Sequence, residues 1–215
     1  MSPAPRKTVI VGAGGHARVV ASILAHLPDI DVVGVADRTA ANLGEIVGHT
    51  KIVTTFDELP ALRREGVEWV ALAIGDNSER AAMFATLQGA GFSILTARHP
   101  TAWVESDVRI GTGSIVCAGA IVASGVVLAD DVLINTGAIV DHECVVGAHV
   151  HIGPGARVAG RVTVGERAFI GAGTTVRDRV RISAGAIIGA GSVVVDDIPG
   201  GAVAYGVPAR VRRDS

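Results

Sequence analysis

The run Asp141-His142-Glu143 places an imidazole between two carboxylates. A neutral imidazole, with an ordinary pKa near ambient pH, suits removal of a proton from an attacking nucleophile. A carboxylate on its other ring nitrogen fixes the tautomer and raises basicity. Asp141 and Glu143 compete for that place. The plain alternative is an exposed histidine beside solvated acids. His149 and His151 lie close by, at spacings of seven and two residues from His142 and from each other, so a metal site has to be weighed as well. A second cluster is Val11-Gly-Ala-Gly-Gly-His-Ala17, which fits G-x-G-x-x-A, with Asp37 twenty residues beyond Ala17. N–H groups at a helix start favour phosphate, and an acid at that distance can take a ribose hydroxyl or a base edge. His16, Arg38 and the loop Gly75-Asp76-Asn77 are further candidates, with solvated loop charge as the alternative for Arg38 and Asp76. Cys117 and Cys144 have neither zinc spacing nor a disulfide framework.

Two different periods position these residues. Residues 1–97 alternate between apolar strands and amphipathic helices. Strands are expected at Thr8–Val11, Asp31–Ala36, Trp69–Ile74 and Phe92–Leu95. Helices are expected at His16–Leu27, Phe56–Glu65 and Ser78–Gln88, the last capped by Ser78. This is a small Rossmann-like α/β unit with a parallel sheet, too short for a full dinucleotide fold of six strands. From Val104 to Val194 every sixth residue is aliphatic, sixteen positions in succession. That period is the signature of a hexapeptide β-helix. Each hexad gives a short strand and a corner, and three hexads close a triangular coil. Residues 98–198 are therefore the β-helix, and 199–215 a tail that finishes its end. Cys144 falls in the small interior slot, as a buried structural thiol. Gly160 lies eighteen residues after His142, one coil further on, so the two should stack. Its N–H is placed to hold an oxyanion; the alternative is a corner glycine needed for positive φ.

Composition agrees and excludes. Hydrophobic residues make up 49% of the 215 residues, aromatics only 3%, and there are 28 glycines. Such a chain is not disordered, and its interior has to be thin and aliphatic. A net charge of −2 gives no electrostatic case for nucleic acid or an anionic membrane. No apolar run reaches the roughly 18 residues of a membrane span. The start, Met1 to Thr8, leads directly into Val9-Ile-Val11 and gives no signal peptide. A cytoplasmic protein is the expectation.

With Val11-Gly-Ala-Gly-Gly-His-Ala17, Asn135-Thr-Gly-Ala-Ile-Val-Asp-His-Glu-Cys144 and Gly206-Val-Pro-Ala-Arg210 in view, the chain resembles the nucleotide-sugar acetyltransferases of the left-handed β-helix superfamily. That family includes the perosamine and bacillosamine N-acetyltransferases and a group of sialic acid O-acetyltransferases. The resemblance implies a homotrimer with sites between neighbouring prisms, acetyl-CoA as cosubstrate and no metal. It implies His142 as general base, Glu143 as its partner and Gly160 N–H as oxyanion donor. The nucleotide sugar would lie on Gly12, Gly14, Gly15, His16, Asp37, Arg38, Gly75, Asn77 and Asn135. Acetyl-CoA would run along His151, Gly160, Ala172, Gly173, Ala190 and Pro208, although small residues there are also what the corners require. The γ-class carbonic anhydrases share the prism, but the histidine spacings here do not match their ligands. An NAD-dependent reading leaves the β-helix unexplained. The expected reaction is acetylation of the 4-amino group of a nucleotide-linked 4-amino-4,6-dideoxy sugar for a surface glycan. GDP-perosamine is the first acceptor and a UDP-bacillosamine precursor the second. Sialic acid O-acetylation, or a non-catalytic nucleotide-sugar-binding scaffold, is the alternative.

Overall fold

A computed structural model describes residues 4–212; the terminal segments 1–3 and 213–215, which include the first residues of the leader reading and the last of the tail, lie outside the described residues. The chain divides into two compact units between Ala97 and Arg98.

In the first unit β1 (Arg6–Val11) is central. It pairs in parallel with β2 (Ile30–Asp37) on one side and β5 (Trp69–Leu72) on the other. β4 (Thr50–Thr55) extends the sheet beyond β2, and β6 (Ser93–Ile94) extends it beyond β5. The unbroken run Thr8-Val-Ile-Val11 is fully buried, as a strand covered on both faces requires. α1 (Gly15–Leu24) packs Ala17, Val20, Ile23 and Leu24 inward and stops three residues before the expected Leu27. α2 (Leu59–Arg64) and α3 (Asn77–Gly89) follow. The cap of α3 is Asp76, not Ser78: Asp76 Oδ1 accepts from Glu79 N–H at 2.8 Å, while Ser78 already lies inside the first turn. Residues 38–55, to which the periodicity assigns no element, hold a short hairpin. It is made by β3 (Ile46–Val47) antiparallel to β4 and turns at Gly48 with φ 64. The sheet therefore reaches six strands after all, in the order β3-β4-β2-β1-β5-β6, because the hairpin adds β3 and β4 to the four expected strands.

The second unit is a parallel β-helix. Two-residue strands stack in three sheets, each strand pairing with the one eighteen residues on, as Val122 with Val140 and Val140 with Val158. The first face carries Leu133–Ile134, the second Ile139–Val140 and the third Val145–Val146. The aliphatic of each hexad points inward, and the small position beside it is sealed: Ala120, Ala138, Cys144, Ala156, Ala168 and Ala186 are all 0% exposed. Polar residues in that slot find carbonyls. Ser114 Oγ donates to Ala129 O at 3.0 Å, and Cys144 Sγ to Ala159 O at 3.1 Å.

Every sixth residue from Gly113 to Gly191 takes a left-handed φ, one per corner. Eight are glycine; the other six are Asp131, Glu143, His149, Arg161, Arg167 and Arg179. A non-glycine residue there costs roughly 1–2 kcal/mol. The distribution is uneven. The corner between first and second faces has only glycine, at 119, 137, 155, 173 and 191. The other two corners carry all six charged or imidazole side chains. The tail Val203–Gly206 joins the first face beside Ile187–Ile188, turns through a cis Val207–Pro208 bond, and returns antiparallel as Ala209–Arg212.

Candidate active site

In the first unit the candidate residues gather at the carboxyl ends of β1, β2 and β5. β1 leads to β2 on one side, and the chain later returns to β5 on the other, so the strand order reverses at β1. Open α/β sheets bind ligands at such a point. Gly12 has φ 111, and a Cβ there would meet Ala73 O at 2.9 Å. It is what lets the β1 loop pass the end of β5. Gly14, Gly15 and Gly75 differ: no atom lies within 4 Å of the Cβ each lacks, so the backbone faces open space at the start of α1 and just before α3. Ala17, at the last position of the motif, is fully buried against the sheet.

His16 is half-buried, and burial together with the nearby Arg80 guanidinium lowers its pKa to about 4. It is therefore neutral at ordinary pH. Arg80 is 2% exposed and donates to Asn77 Oδ1 at 3.0 Å, which ties the start of α3 to the floor of the loop. Asn77 is thus buried rather than open to a ligand. Asp37 accepts from Arg38 N–H at 2.6 Å and from the Asn42 side-chain amide, and Arg38 pairs with Glu79. These two charges brace the loop after β2. The sequence reading missed Asn42, Glu79 and Arg80. No periodicity marks the first two, while an arginine on the inward face of α3 was a visible signal.

In the second unit His142 occupies the corner between second and third faces. Its Nδ1 lies 3.0 Å from Glu143 Oε2. Asp141 accepts from the His142 backbone N–H at 2.7 Å, so Glu143 is the carboxylate on the ring. The same Glu143 oxygen accepts from Arg161 Nε at 2.8 Å, and these donors hold the Glu143 carboxyl below its usual range. In the neutral ring, with Nδ1–H given to a carboxylate, the lone pair is on Nε2. That edge of the ring lies over Gly160: a Cβ there would be 2.5 Å from Nε2 and 2.7 Å from Cε1. Gly160 does not have a positive φ. It is glycine for space rather than for conformation, contrary to the corner-glycine alternative. Among the described residues its N–H donates to no acceptor.

Asn135 lies on another corner, between first and second faces. Thr136 N–H donates to Asn135 Oδ1 at 2.8 Å, which turns the amide NH₂ toward His151 Nε2 at 3.0 Å. His151 stands edge-on to Phe169 with centroids 5.0 Å apart. Ala172, Gly173 and Ala190 line the same corner, all exposed, and Pro208 is exposed at the turn of the tail. Within one chain, then, Asn135 and His151 are separated from His142 and Glu143 by the whole second face. His149 belongs to the third corner and pairs with Asp131 at 2.8 Å. Each of the three histidines has a different polar partner. Among the described residues no three His, Cys, Asp or Glu side chains could hold a metal ion. Burial pushes Cys117 up to about 12 and Cys144 up to about 11, so neither offers a thiolate nucleophile near neutral pH. No helix among the described residues is long and apolar enough to cross a membrane.

Known proteins give the arrangement a context. Residues 7–87 match the PglD N-terminal domain, and residues 161–196 match the bacterial transferase hexapeptide (six repeats). No curated protein sequence matches the chain. PerB from Caulobacter crescentus, solved with CoA and GDP-perosamine, is 41% identical, with a TM-score of 0.91 over 99% of this chain and 100% of that one. Perosamine N-acetyltransferase from the same organism, solved with the same ligands and with asparagine in place of one histidine, is 41% identical at a TM-score of 0.92, with 100% of both chains covered. The acetyltransferase domain of PglB from Neisseria gonorrhoeae FA1090, in complex with acetyl coenzyme A, is 35% identical at 0.89, over 97% of this chain and 100% of that one. An α/β unit of the PglD type, a hexapeptide-repeat prism and whole-chain identity at this level leave one assignment: the chain belongs to the nucleotide-sugar acetyltransferases of the left-handed β-helix, hexapeptide-repeat superfamily.

Proposed function

We propose that the chain transfers the acetyl group of acetyl-CoA to the 4-amino group of a nucleotide-linked 4-amino-4,6-dideoxy sugar destined for a surface glycan. GDP-perosamine is the first acceptor to test and a UDP-bacillosamine precursor the second. The observation that carries the reading is His142, held by Glu143 and seated on Gly160, in a chain alike along its whole length to an enzyme solved with CoA and GDP-perosamine.

The chemistry follows from that geometry. His142 Nε2 takes a proton from the amine as its nitrogen attacks the thioester carbonyl carbon. Glu143 balances the imidazolium that forms. Gly160 N–H, which has no acceptor among the described residues, donates to the oxygen that becomes negative. The carbon–sulfur bond then breaks, and the CoA thiolate takes the proton back from Nε2. Acetyl passes directly, without a protein thiol as carrier.

The open glycines Gly14, Gly15 and Gly75, with Gly12 turning the loop beneath them, suit a diphosphate at the start of α1, with His16 as a neutral hydrogen-bonding group beside it. Asp37 and Arg38 would act by shaping that loop, and Asn77 by holding its floor. The glycine-only corner, with Ala172, Gly173, Ala190, His151 and Pro208, suits a long thin ligand such as the pantetheine arm. A homotrimer accounts for the separation of Asn135 and His151 from His142, since a neighbouring copy could bring the two corners together. The buried free thiols fit a reducing cytoplasm, where acetyl-CoA is at hand.

The test is acetyl-CoA consumption against GDP-, UDP-, dTDP- and CMP-linked sugars, with His142→Asn in parallel. Turnover with a 4-amino sugar is expected, and a kcat loss of about 10²-fold or more in the variant. Acceptance of sialic acid alone would favour O-acetylation. Sugar-nucleotide binding without any turnover would favour a scaffold.

A further inference from the structure

We propose that Arg161 is a positioning residue of the acetyl-transfer site, acting on His142 through Glu143. This rests on the reading of His142 as general base.

The Gly160-Arg161 pair, one coil beyond His142-Glu143, supports it at three points. The imidazole lies over the Gly160 Cα, where a Cβ would come within 2.5 Å of Nε2. Arg161 N–H donates to His142 O at 2.9 Å. Arg161 Nε donates to the same Glu143 oxygen that faces His142 Nδ1, at 2.8 Å against 3.0 Å. A glutamate 55% exposed has several rotamers open to it, and the one adopted here faces its own neighbour's ring. A guanidinium on that oxygen selects that rotamer and keeps the carboxylate ionised.

The position of Arg161 is not one that stacking dictates. Its φ is 62 and that of Glu143 is 58, while the coil before them has Gly125 at the same place. Arg179, one coil further along the same corner, does not continue the ladder: it turns to Asp178 at 2.6 Å. Two acids on this corner are engaged elsewhere. Asp107 accepts from Ser124 Oγ at 2.7 Å and from Gly125 N–H at 3.0 Å. Asp141 accepts from the His142 backbone N–H at 2.7 Å. Among the described residues Arg161 is therefore the cation on Glu143.

A double-mutant cycle tests this. Arg161→Met is expected to lower kcat about tenfold with KM for both substrates within about twofold of the parent. Arg161→Lys, which keeps a cation on a long stem, is expected to recover most of the loss. In a Glu143→Gln background, Arg161→Met is expected to cost no more than about twofold further, because the group it acts through is gone. Multiplicative losses, a change in KM alone, or full activity in Arg161→Met would overturn the proposal. Thermal unfolding of each variant identifies loss of fold, and Arg161→Gln replaces any methionine variant that does not fold. His142→Asn keeps the two readings apart. Full turnover in that variant sinks the general-base assignment itself, whereas an inactive His142→Asn with multiplicative Arg161 effects sinks only the role of Arg161.

Discussion

His142 has a defined orientation on an exposed corner because three kinds of contact act on one short segment. Asp141 ties its backbone N–H, Glu143 takes its Nδ1, and the Cα of Gly160 forms a flat seat beneath the ring. The seat gives the sharpest single-atom prediction. In Gly160→Ala the new methyl would overlap Nε2 and Cε1, and the ring, as the movable partner, would swing away. Gly160 is itself buried, but the imidazole above it is half exposed and can move outward, and the φ is not left-handed, so unfolding should shift by less than about 1 kcal/mol. A displacement of about 1 Å in a reacting group, however, is worth on the order of a hundredfold. Steady-state kinetics beside a urea unfolding curve checks the pair of expectations; equal damage to both would mean the glycine serves the fold. The stacking of Gly160 on His142 was legible from the eighteen-residue offset. The same count from Glu143 reaches Arg161, which the reading of glycines and histidines alone passed over. Asn42 and Glu79, the partners of Asp37 and Arg38, carry no such offset. They meet through a loop whose path depends on the hairpin at Ile46–Thr55.

At the scale of elements, the hexad period settles most of the second unit, because one register repeated over many coils leaves no freedom in which side chain faces inward. What periodicity cannot see is why a given corner residue is small. Gly171 and Gly173 lie on the same corner for different reasons. A Cβ at Gly171 would sit 2.6 Å from both Ala190 N and Ile188 O, backbone of the next coil that cannot rotate away. A Cβ at Gly173 would meet nothing within 4 Å, but φ is 67 there. Gly173→Ala should therefore destabilise by about 1 kcal/mol, from left-handed strain alone. Gly171→Ala should cost more, about 2–3 kcal/mol, because two coils have to separate. Urea midpoints of the two variants rank them, and a larger loss at Gly173 would contradict the stacking argument. The first unit was less legible for a related reason. Its long buried strands and helices announce themselves, but β3 is two residues long, and β4 buries only Ile52 and the polar Thr54, which leaves no apolar alternation to count. The cap of α3 falls to Asp76 because the aspartate stands just before the first helical residue, in extended backbone, where its carboxylate reaches the Glu79 N–H.

For the whole molecule, the arrangement of corners decides how many chains make one site. Asn135, with His151 on the adjoining first-face strand, and His142 with Glu143 lie at opposite edges of the second face, so the width of that face separates them within one chain. If each site takes one corner from each of two copies in a closed ring of three, then separately inactive variants should complement one another. His142→Asn lacks the base but keeps an intact Asn135 corner, and Asn135→Arg is the reverse, with a long cation filling the space beside His151. In hetero-trimers reassembled from equal amounts, each interface draws one of two versions of either corner, so about a quarter of the interfaces carry both native corners. Activity near a quarter of the parent, rising from two preparations of near-zero activity, is the expected outcome. Trimer mass should be confirmed before and after mixing. Activity no greater than the mean of the two variants, in verified mixed trimers, would mean that each prism works alone and that Asn135 and His151 serve some other surface of the molecule.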